Sequence, residues 1–297
     1  MKISIEKRPI FVSVIIPIFH DWDRLKICVD SLFEQDYPNE RYEVIIVNND
    51  PIEKEPELNL PDNYHLIKEK KPGSYSARNT GIRYSNNEVL VFTDADCIPK
   101  SNWLSELINK FEVEQERDLK NLLISGDVKI FSREYEPNWA ESYDIIFGTN
   151  PKREFKNDTA PTANLLVHRT VFEEIGTFDS FRFSGGDSEF CKRASLHGYK
   201  LSFCNSAIVN HPARKSLYKI FIKARRKLAS KIYEGIRFRN VIQILSPPLY
   251  RYTILVNSKE YRISIRIKAF VILHFVKLIE VIELIRLKIF KKKHVRE

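Results

Sequence analysis

Short apolar runs alternate with helix-patterned stretches through the first half of the chain. The runs are residues 11–18, 44–47 and 89–93, and the intervening stretches 22–35 and 75–84 carry helical patterning. Each run is rich in Val, Ile or Phe and lacks strict alternation, which predicts strands buried on both faces. Strands alternating with helices predict βαβ units and a mostly parallel sheet. Ligands of such sheets bind beyond the carboxyl ends of the strands. The residues just past the three runs are His20-Asp21, Asn48-Asn49-Asp50 and Asp94-Ala95-Asp96. Asn and Asp also favour turns and caps for local reasons. Three polar clusters in succession, each at a predicted strand exit, favour a site.

A further apolar segment covers 119–128, and a loop-rich stretch covers 131–162. Residues 163–168 are again apolar. A polar loop with two glycines, 181–188, leads into a helix over 187–196. Ser246-Pro247-Pro248 breaks the C-terminal region in two. Beyond it, residues 262–293 are apolar between regularly spaced charges. On a helix, Arg266, His274, Lys277, Glu280, Lys288 and Lys291 fall on one side, and Val271, Phe275, Leu278, Ile282, Ile285 and Ile289 on the other. The uncharged stretch 269–276 is too short to cross a bilayer. A basic amphipathic helix suits a membrane interface. The alternative is that its apolar face packs on the rest of the chain or on a second copy.

The 297 residues, 43% of them hydrophobic, allow one large domain or a domain plus an appendage. Four cysteines without CxxC spacing exclude a disulfide scaffold or zinc ribbon and point to a reducing cytoplasm. The opening MKISIEKRPIFVSVIIPIF has no signal-peptide cleavage pattern. The net charge of +9 is uneven: residues 214–297 hold 22 Lys/Arg against 5 Asp/Glu, a net of +17, and residues 1–213 carry a net of −8. An acidic body with a basic tail implies an anionic partner surface. No nucleic-acid recognition motif accompanies the charge, which leaves anionic lipid as the partner. Lys291-Lys292-Lys293 would add to that attraction.

The candidate chemistry sits at the strand exits and downstream. Asp94 and Asp96, converging in a turn after a buried strand, suit a hard cation with oxygen ligands. Such a cation would hold a diphosphate and neutralise charge as it leaves. Asp187, preceded by Gly185-Gly186, is either a helix N-cap or, with the carboxylates upstream, a general base for an incoming hydroxyl. His211 is followed by Arg214 and Lys215, cations suited to phosphate oxygens. A histidine beside two aspartates suits Mn²⁺ better than Mg²⁺. Residues 71–79, KPGSYSARN, form a glycine-containing loop entering a helix, with Lys71, Gly73 and Arg78 placed to receive an anion.

The ordered set VSVIIPIFHDWDRLKICVDSLFEQDYP, YEVIIVNND, KPGSYSARNTGI, VLVFTDADCIPKSNWL, TANLLVHRTVFEEIGTFDSFRFSGGDSEFCKRASLHGYKL and HPARKS resembles the family 2 glycosyltransferases of the GT-A fold. The resemblance spans roughly residues 10–216. It implies a Rossmann-like, mostly parallel central sheet flanked by helices over residues 1–215, with 216–297 as a basic amphipathic helical extension. It also implies Pro17 and Phe19 as walls for the base, Asp94 at the ribose or metal region, and Asp96 and His211 as metal ligands. Arg78 would lie near the diphosphate, and Asp187 would be the base of an inverting transfer. Asn49 stands where relatives carry a carboxylate for uracil, and its amide oxygen can still accept from the uracil N3–H, which keeps a UDP-sugar as favoured donor. The expected cofactor is Mn²⁺ or Mg²⁺ and the acceptor a glycan or lipid-linked hydroxyl. Trp139 and Tyr143 are aromatics suited to stack on a sugar. The expected location is cytoplasmic, at the inner face of the cell membrane. A nucleotidyltransferase would also use paired carboxylates but not Asp187. A non-catalytic nucleotide-sugar binder has no need of the intact aspartates.

Overall fold

The computed structural model describes residues 9–50, 52, 55–182, 184–233, 235 and 238–288. In chain order the elements of the first two-thirds are β1 (Val12–Ile18), α1 (Trp22–Phe33), β2 (Tyr42–Asn48), β3 (Tyr64–Lys68), α2 (Ser74–Tyr84), β4 (Val89–Phe92), β5 (Ile98–Pro99), α3 (Trp103–Arg117), β6 (Leu123–Phe131), α4 (Trp139–Phe147), α5 (Pro151–Phe155), β7 (Leu165–His168), α6 (Arg169–Ile175), α7 (Gly186–Leu196) and β8 (Leu201–Pro212). Four helices follow: α8 (Leu217–Tyr233), α9 (Phe238–Leu245), α10 (Leu249–Asn257) and α11 (Ile263–Lys288). They form two compact units. One comprises residues up to 128, 151–180 and 186–210; the other comprises 129–150, 181–185 and 211 onward.

The sheet runs β3-β2-β1-β4-β7-β6-β8-β5. The three predicted strands are β1, β2 and β4, and with β3 they form a parallel block. β7 joins β4 and β6 antiparallel, and β5 joins β8 antiparallel, so the sheet is mixed beyond β4. β1, β2 and β4 are buried almost throughout, as their continuous apolar runs require, whereas β3 at the sheet edge is buried only at Tyr64. α2 lies close on β1: a Cβ at Gly81 would come within 2.5 Å of Ile15 Cγ2.

Asn164, at the entry to β7, ties three elements together. It is fully buried, its Oδ1 accepts from Trp103 Nε1 at 2.8 Å, and its Nδ2 donates to the carbonyls of Asp127 (2.9 Å) and Ala207 (3.0 Å). Removing it strands one buried donor and two acceptors. Asn164→Ala is therefore expected to cost about 4 kcal/mol in denaturant unfolding. A loss within experimental error of zero would show that water or neighbours take over all three bonds.

In the second unit the stretch read as loop, 131–162, contributes a capped helix. Asn138 and Glu141 form the reciprocal capping box of α4. Tyr143 is buried there with Ala140, Ile220, Ile272, Leu273 and Val276, so it is core and offers no surface to a sugar. Trp139, in the first turn of α4, remains half exposed. α11 packs against α4 and α8 through Ile265, Ala269, Ile272, Val276, Leu284 and Leu287. Its Glu283 is buried and accepts from Arg225 Nε on α8 at 2.8 Å. Phe275, Leu278, Ile282 and Ile285, the stripe read from the sequence, stay exposed. α11 is thus apolar on two faces, and the one that packs is not the one the charge pattern singled out. Ile289 and Lys291-Lys292-Lys293 lie outside the described residues. Among the described residues no helix is long and apolar enough to cross a membrane.

Candidate active site

The carboxyl ends of β1, β2 and β4 converge on a cavity of about 280 Å³ lined by Pro17, Ile18, Phe19, Asp21, Asn49, Ser74, Arg78, Asp94, Ala95 and Asp96. Six residues singled out by the sequence, Pro17, Phe19, Asn49, Arg78, Asp94 and Asp96, are therefore brought together. β1 ends in a sharp turn, with His20 in the left-handed region (φ 57°) and its Nε2 3.0 Å from Asp50 Oδ2. That conformation is costly for a non-glycine residue and leaves the Phe19 ring half exposed beside the cavity.

After β4 the chain turns tightly, with the Cys97 amide donating to the Asp94 carbonyl at 3.0 Å. The turn lets both carboxylates line one cavity, which an extended strand would forbid. Arg78, 4% exposed on α2, donates through Nη2 to Asp94 Oδ1. Its buried Nε has no hydrogen-bond partner. A buried cation with an unused donor beside a cavity is suited to an anionic ligand. Asp96 Oδ2 accepts from Arg24 Nη1 of α1 at 3.3 Å. The two carboxylates supply the hard oxygen donors that a divalent cation takes.

Asn49 has a structural task that spacing did not reveal. Its Nδ2 donates to the carbonyls of Glu69 (3.0 Å) and Lys71 (2.8 Å), and its Oδ1 accepts from the Gly73 amide at 2.7 Å. It thus clamps the loop that enters α2. A carboxylate there could not donate to two carbonyls, which is a physical reason for the amide. Gly73 takes φ 122°, open to glycine and strained for other residues, although a Cβ would meet nothing. Lys71 and Gly73 shape this loop but do not line the cavity. The Lys71 ammonium donates to Ser180 Oγ at 2.7 Å.

Asp187 lies in the first turn of α7, where its Oδ1 accepts from the Ser188 amide at 2.9 Å. Tyr75, between the cavity residues Ser74 and Arg78 on α2, reaches the same turn. Its hydroxyl accepts from the Gly186 amide at 2.9 Å and lies 3.4 Å from Asp187 Oδ1. Burial, then the Asp187 charge, pushes the phenol pKa up, which keeps it a proton donor to that carboxylate. Gly186 is required because a Cβ would come within 2.7 Å of the Tyr75 ring. Tyr75→Phe is expected to cost about 1 kcal/mol in stability. It should also lower kcat about tenfold without changing the donor KM, as loss of orientation does. A rise in KM with kcat intact would instead assign Tyr75 to donor binding. Asp21, marked only as part of the polar cluster after the first run, also lines the cavity, whereas Tyr75, Arg24 and Ser74 were not singled out from the sequence. Their only signals were places beside a strand exit or at a helix start.

β5 pairs with the end of β8, Ile98 opposite Asn210, and His211 follows Asn210 in the strand. The His211 side chain is buried, with Nδ1 2.8 Å from the Pro212 carbonyl. An Nδ1–H held by a carbonyl leaves the lone pair on Nε2, the tautomer a metal ligand needs. Arg214 and Lys215 have carboxylate partners within the second unit. Arg214 grips Asp144 through Nη1 at 2.9 and 3.0 Å, and Lys215 Nζ lies 3.3 Å from Glu134 Oε1. Burial would raise the Asp144 pKa, but the Arg214 and Lys223 charges outweigh it and hold the carboxyl below its usual range.

A Rossmann-like sheet with an acidic turn after its fourth strand and a buried arginine over that turn defines a glycosyltransferase of the GT-A fold. The chain belongs to glycosyl transferase family 2, whose profile matches residues 13–176. It is 35% identical over 211 residues to glycosyltransferase AglE of Haloferax volcanii, covering 69% of this chain and 67% of that protein. It is 27% identical over 230 residues to the dolichyl N-acetyl-alpha-D-glucosaminyl phosphate 3-beta-D-2,3-diacetamido-2,3-dideoxy-beta-D-glucuronosyltransferase of Methanococcus voltae, covering 72% and 70%. In fold it is similar to the mannosyltransferase PcManGT from Pyrobaculum calidifontis, solved with GDP-Man and Mn²⁺. The TM-score is 0.61 at 16% identity, over 97% of this chain and 89% of that one.

Proposed function

We propose that the protein is an inverting transferase that moves a sugar from a nucleotide-sugar, with a UDP-sugar as first candidate, to a hydroxyl of a glycan or lipid-linked acceptor. The observation that carries this reading is the gathering of Pro17, Phe19, Asn49, Arg78, Asp94 and Asp96 in one cavity at the strand exits. Pro17 and Phe19 offer apolar walls to a base, and the Asn49 oxygen keeps a second lone pair for an N–H donor. Arg78, whose side chain lines the cavity, is proposed to lie near the diphosphate. Asp96 is proposed as a ligand for a divalent cation, which when bound would supply positive charge against the leaving diphosphate, and His211, through Nε2, is likewise proposed as a metal ligand.

Asp187 takes the proton of the acceptor hydroxyl as that oxygen bonds to the anomeric carbon from the face opposite the nucleotide. The bond to the nucleotide breaks, and configuration inverts without a covalent sugar–enzyme species. Tyr75 holds the Asp187 carboxylate in place. Residues 1–215 are proposed as the catalytic domain. Residues 216–297 are proposed to rest on the cytoplasmic face of an anionic membrane, supported by the exposed apolar stripe of α11 and the basic balance of this region. The Methanococcus voltae relative, named for a dolichyl-phosphate-linked acceptor, supports an acceptor of that kind.

The test is hydrolysis and transfer with a panel of UDP-, GDP- and dTDP-sugars in Mn²⁺, with and without EDTA, using membrane extract as acceptor source. Turnover of one UDP-sugar that EDTA arrests supports the reading. Turnover of a GDP-sugar alone replaces the nucleotide, and release of pyrophosphate from a triphosphate with no sugar transfer favours a nucleotidyltransferase.

A further inference from the structure

A second cavity, of about 680 Å³, lies within the second unit among α8, α9, α10 and α11. Lys227 and Lys231 of α8, Arg251 of α10 and Lys277 of α11 line it, against the single carboxylate of Glu280. Glu280 is engaged by Arg251, whose Nη2 donates to Oε1 at 3.0 Å. The other arm of that guanidinium, Nη1, is buried without a hydrogen-bond partner. Lys277 spends one N–H on the Gln243 carbonyl at 2.8 Å. Burial, then the charges of Arg251 and Lys231, lowers the Lys277 pKa despite Glu280. Positive charge is therefore in excess here, and a buried donor is left unused. The excess charge is relieved by one compact polyanion.

Apart from Gln243 and Ser246, the remaining wall is largely apolar. Leu228, Ile244, Leu249 and the Pro247-Pro248 turn line it, and Leu249 and Tyr250 are largely exposed at the same place. A free inorganic anion has no use for that wall, whereas an acyl or isoprenoid chain does. We propose that this cavity binds the phosphate headgroup of a membrane lipid, with Arg251, Lys231 and Lys277 on the phosphate oxygens and Leu249 and Tyr250 against the start of the chain. The site is separate from the donor cavity and from general attraction of the basic surface to a membrane. It is a headgroup pocket, and adsorption through the α11 stripe stands or falls independently of it.

Dihexanoyl phosphatidic acid, used as a monomer in water, separates the two. It is titrated calorimetrically into the full chain at fixed salt, beside dihexanoyl phosphatidylcholine and inorganic phosphate. Saturable binding of phosphatidic acid is expected, with inorganic phosphate about tenfold weaker or more and phosphatidylcholine without saturable heat. Lys231→Gln and Lys277→Gln should each weaken binding about fivefold. Lys231 is exposed, so its variant reports even if the Lys277 variant is unstable in a thermal melt. Equal affinity for inorganic phosphate would make this a free-anion site and overturn the lipid assignment. Absence of saturable binding by phosphatidic acid, or unchanged affinity in Lys231→Gln, removes the site, whether or not the protein binds vesicles.

Discussion

Asp187→Asn is expected to lower sugar transfer about a thousandfold while leaving nucleotide affinity unchanged. The substitution is nearly isosteric. The new amide oxygen can still accept from the Ser188 amide and from the Tyr75 hydroxyl, so the start of α7 keeps its geometry. The side chain can no longer take a proton from the acceptor. The residues that line the donor cavity are untouched, since Asp187 is not among them. Initial rates with donor and acceptor, beside calorimetric titration of the nucleotide, separate the two effects. An equal loss in affinity and in rate would place Asp187 in the donor site. Unchanged turnover would end its role as base and favour the N-cap reading, in which the cost is about 1 kcal/mol of stability and no activity.

Asp96→Ala carries the second large effect. Turnover should fall about a thousandfold, equivalent to several kcal/mol of lost charge stabilisation at the leaving diphosphate. Binding gives a readout apart from activity. Mn²⁺ at about a hundred times its Kd should stabilise the wild-type protein by about 2.7 kcal/mol, and that gain should vanish in the variant. Arg24, which loses its contact with Asp96, keeps Asp21 at 3.2 Å, so the variant is expected to fold. A variant that retains both the Mn²⁺-dependent gain and its turnover would show that the cation, if used, is held by other groups. Asp94 is the less informative position, because its removal also leaves the buried Arg78 without its carboxylate.

Half of the candidate site was legible because it follows from the backbone period. Strands buried on both faces appear as uninterrupted apolar runs, and α/β sheets expose their strand exits to ligands. The runs ending before His20, Asn48 and Asp94 marked β1, β2 and β4 closely, and the polar groups after them do share a cavity. Asn49 shows where this reasoning stops. Its position was right, but its hydrogen bonds to Glu69, Lys71 and Gly73 depend on how a loop over twenty residues away returns to it. Tyr75 was hidden for the same reason: its partner Asp187 lies 112 residues further on.

The helical region failed differently. Charge spacing on α11 pointed to an apolar face of Phe275, Leu278, Ile282 and Ile285, yet a second stripe through Ala269, Ile272 and Val276 is the one packed on α4. A helix apolar on two sides satisfies the same periodicity in either orientation, and only its neighbours choose between them. Tyr143 likewise read as a loop aromatic until the Asn138–Glu141 capping box closed α4 around it. What the sequence determined by itself was therefore local: the strands, the polar strand exits, the acidic turn and the family to which their order belongs. The tertiary structure decided which distant groups meet, because hydrogen bonds and packing between remote segments depend on chain return and not on spacing.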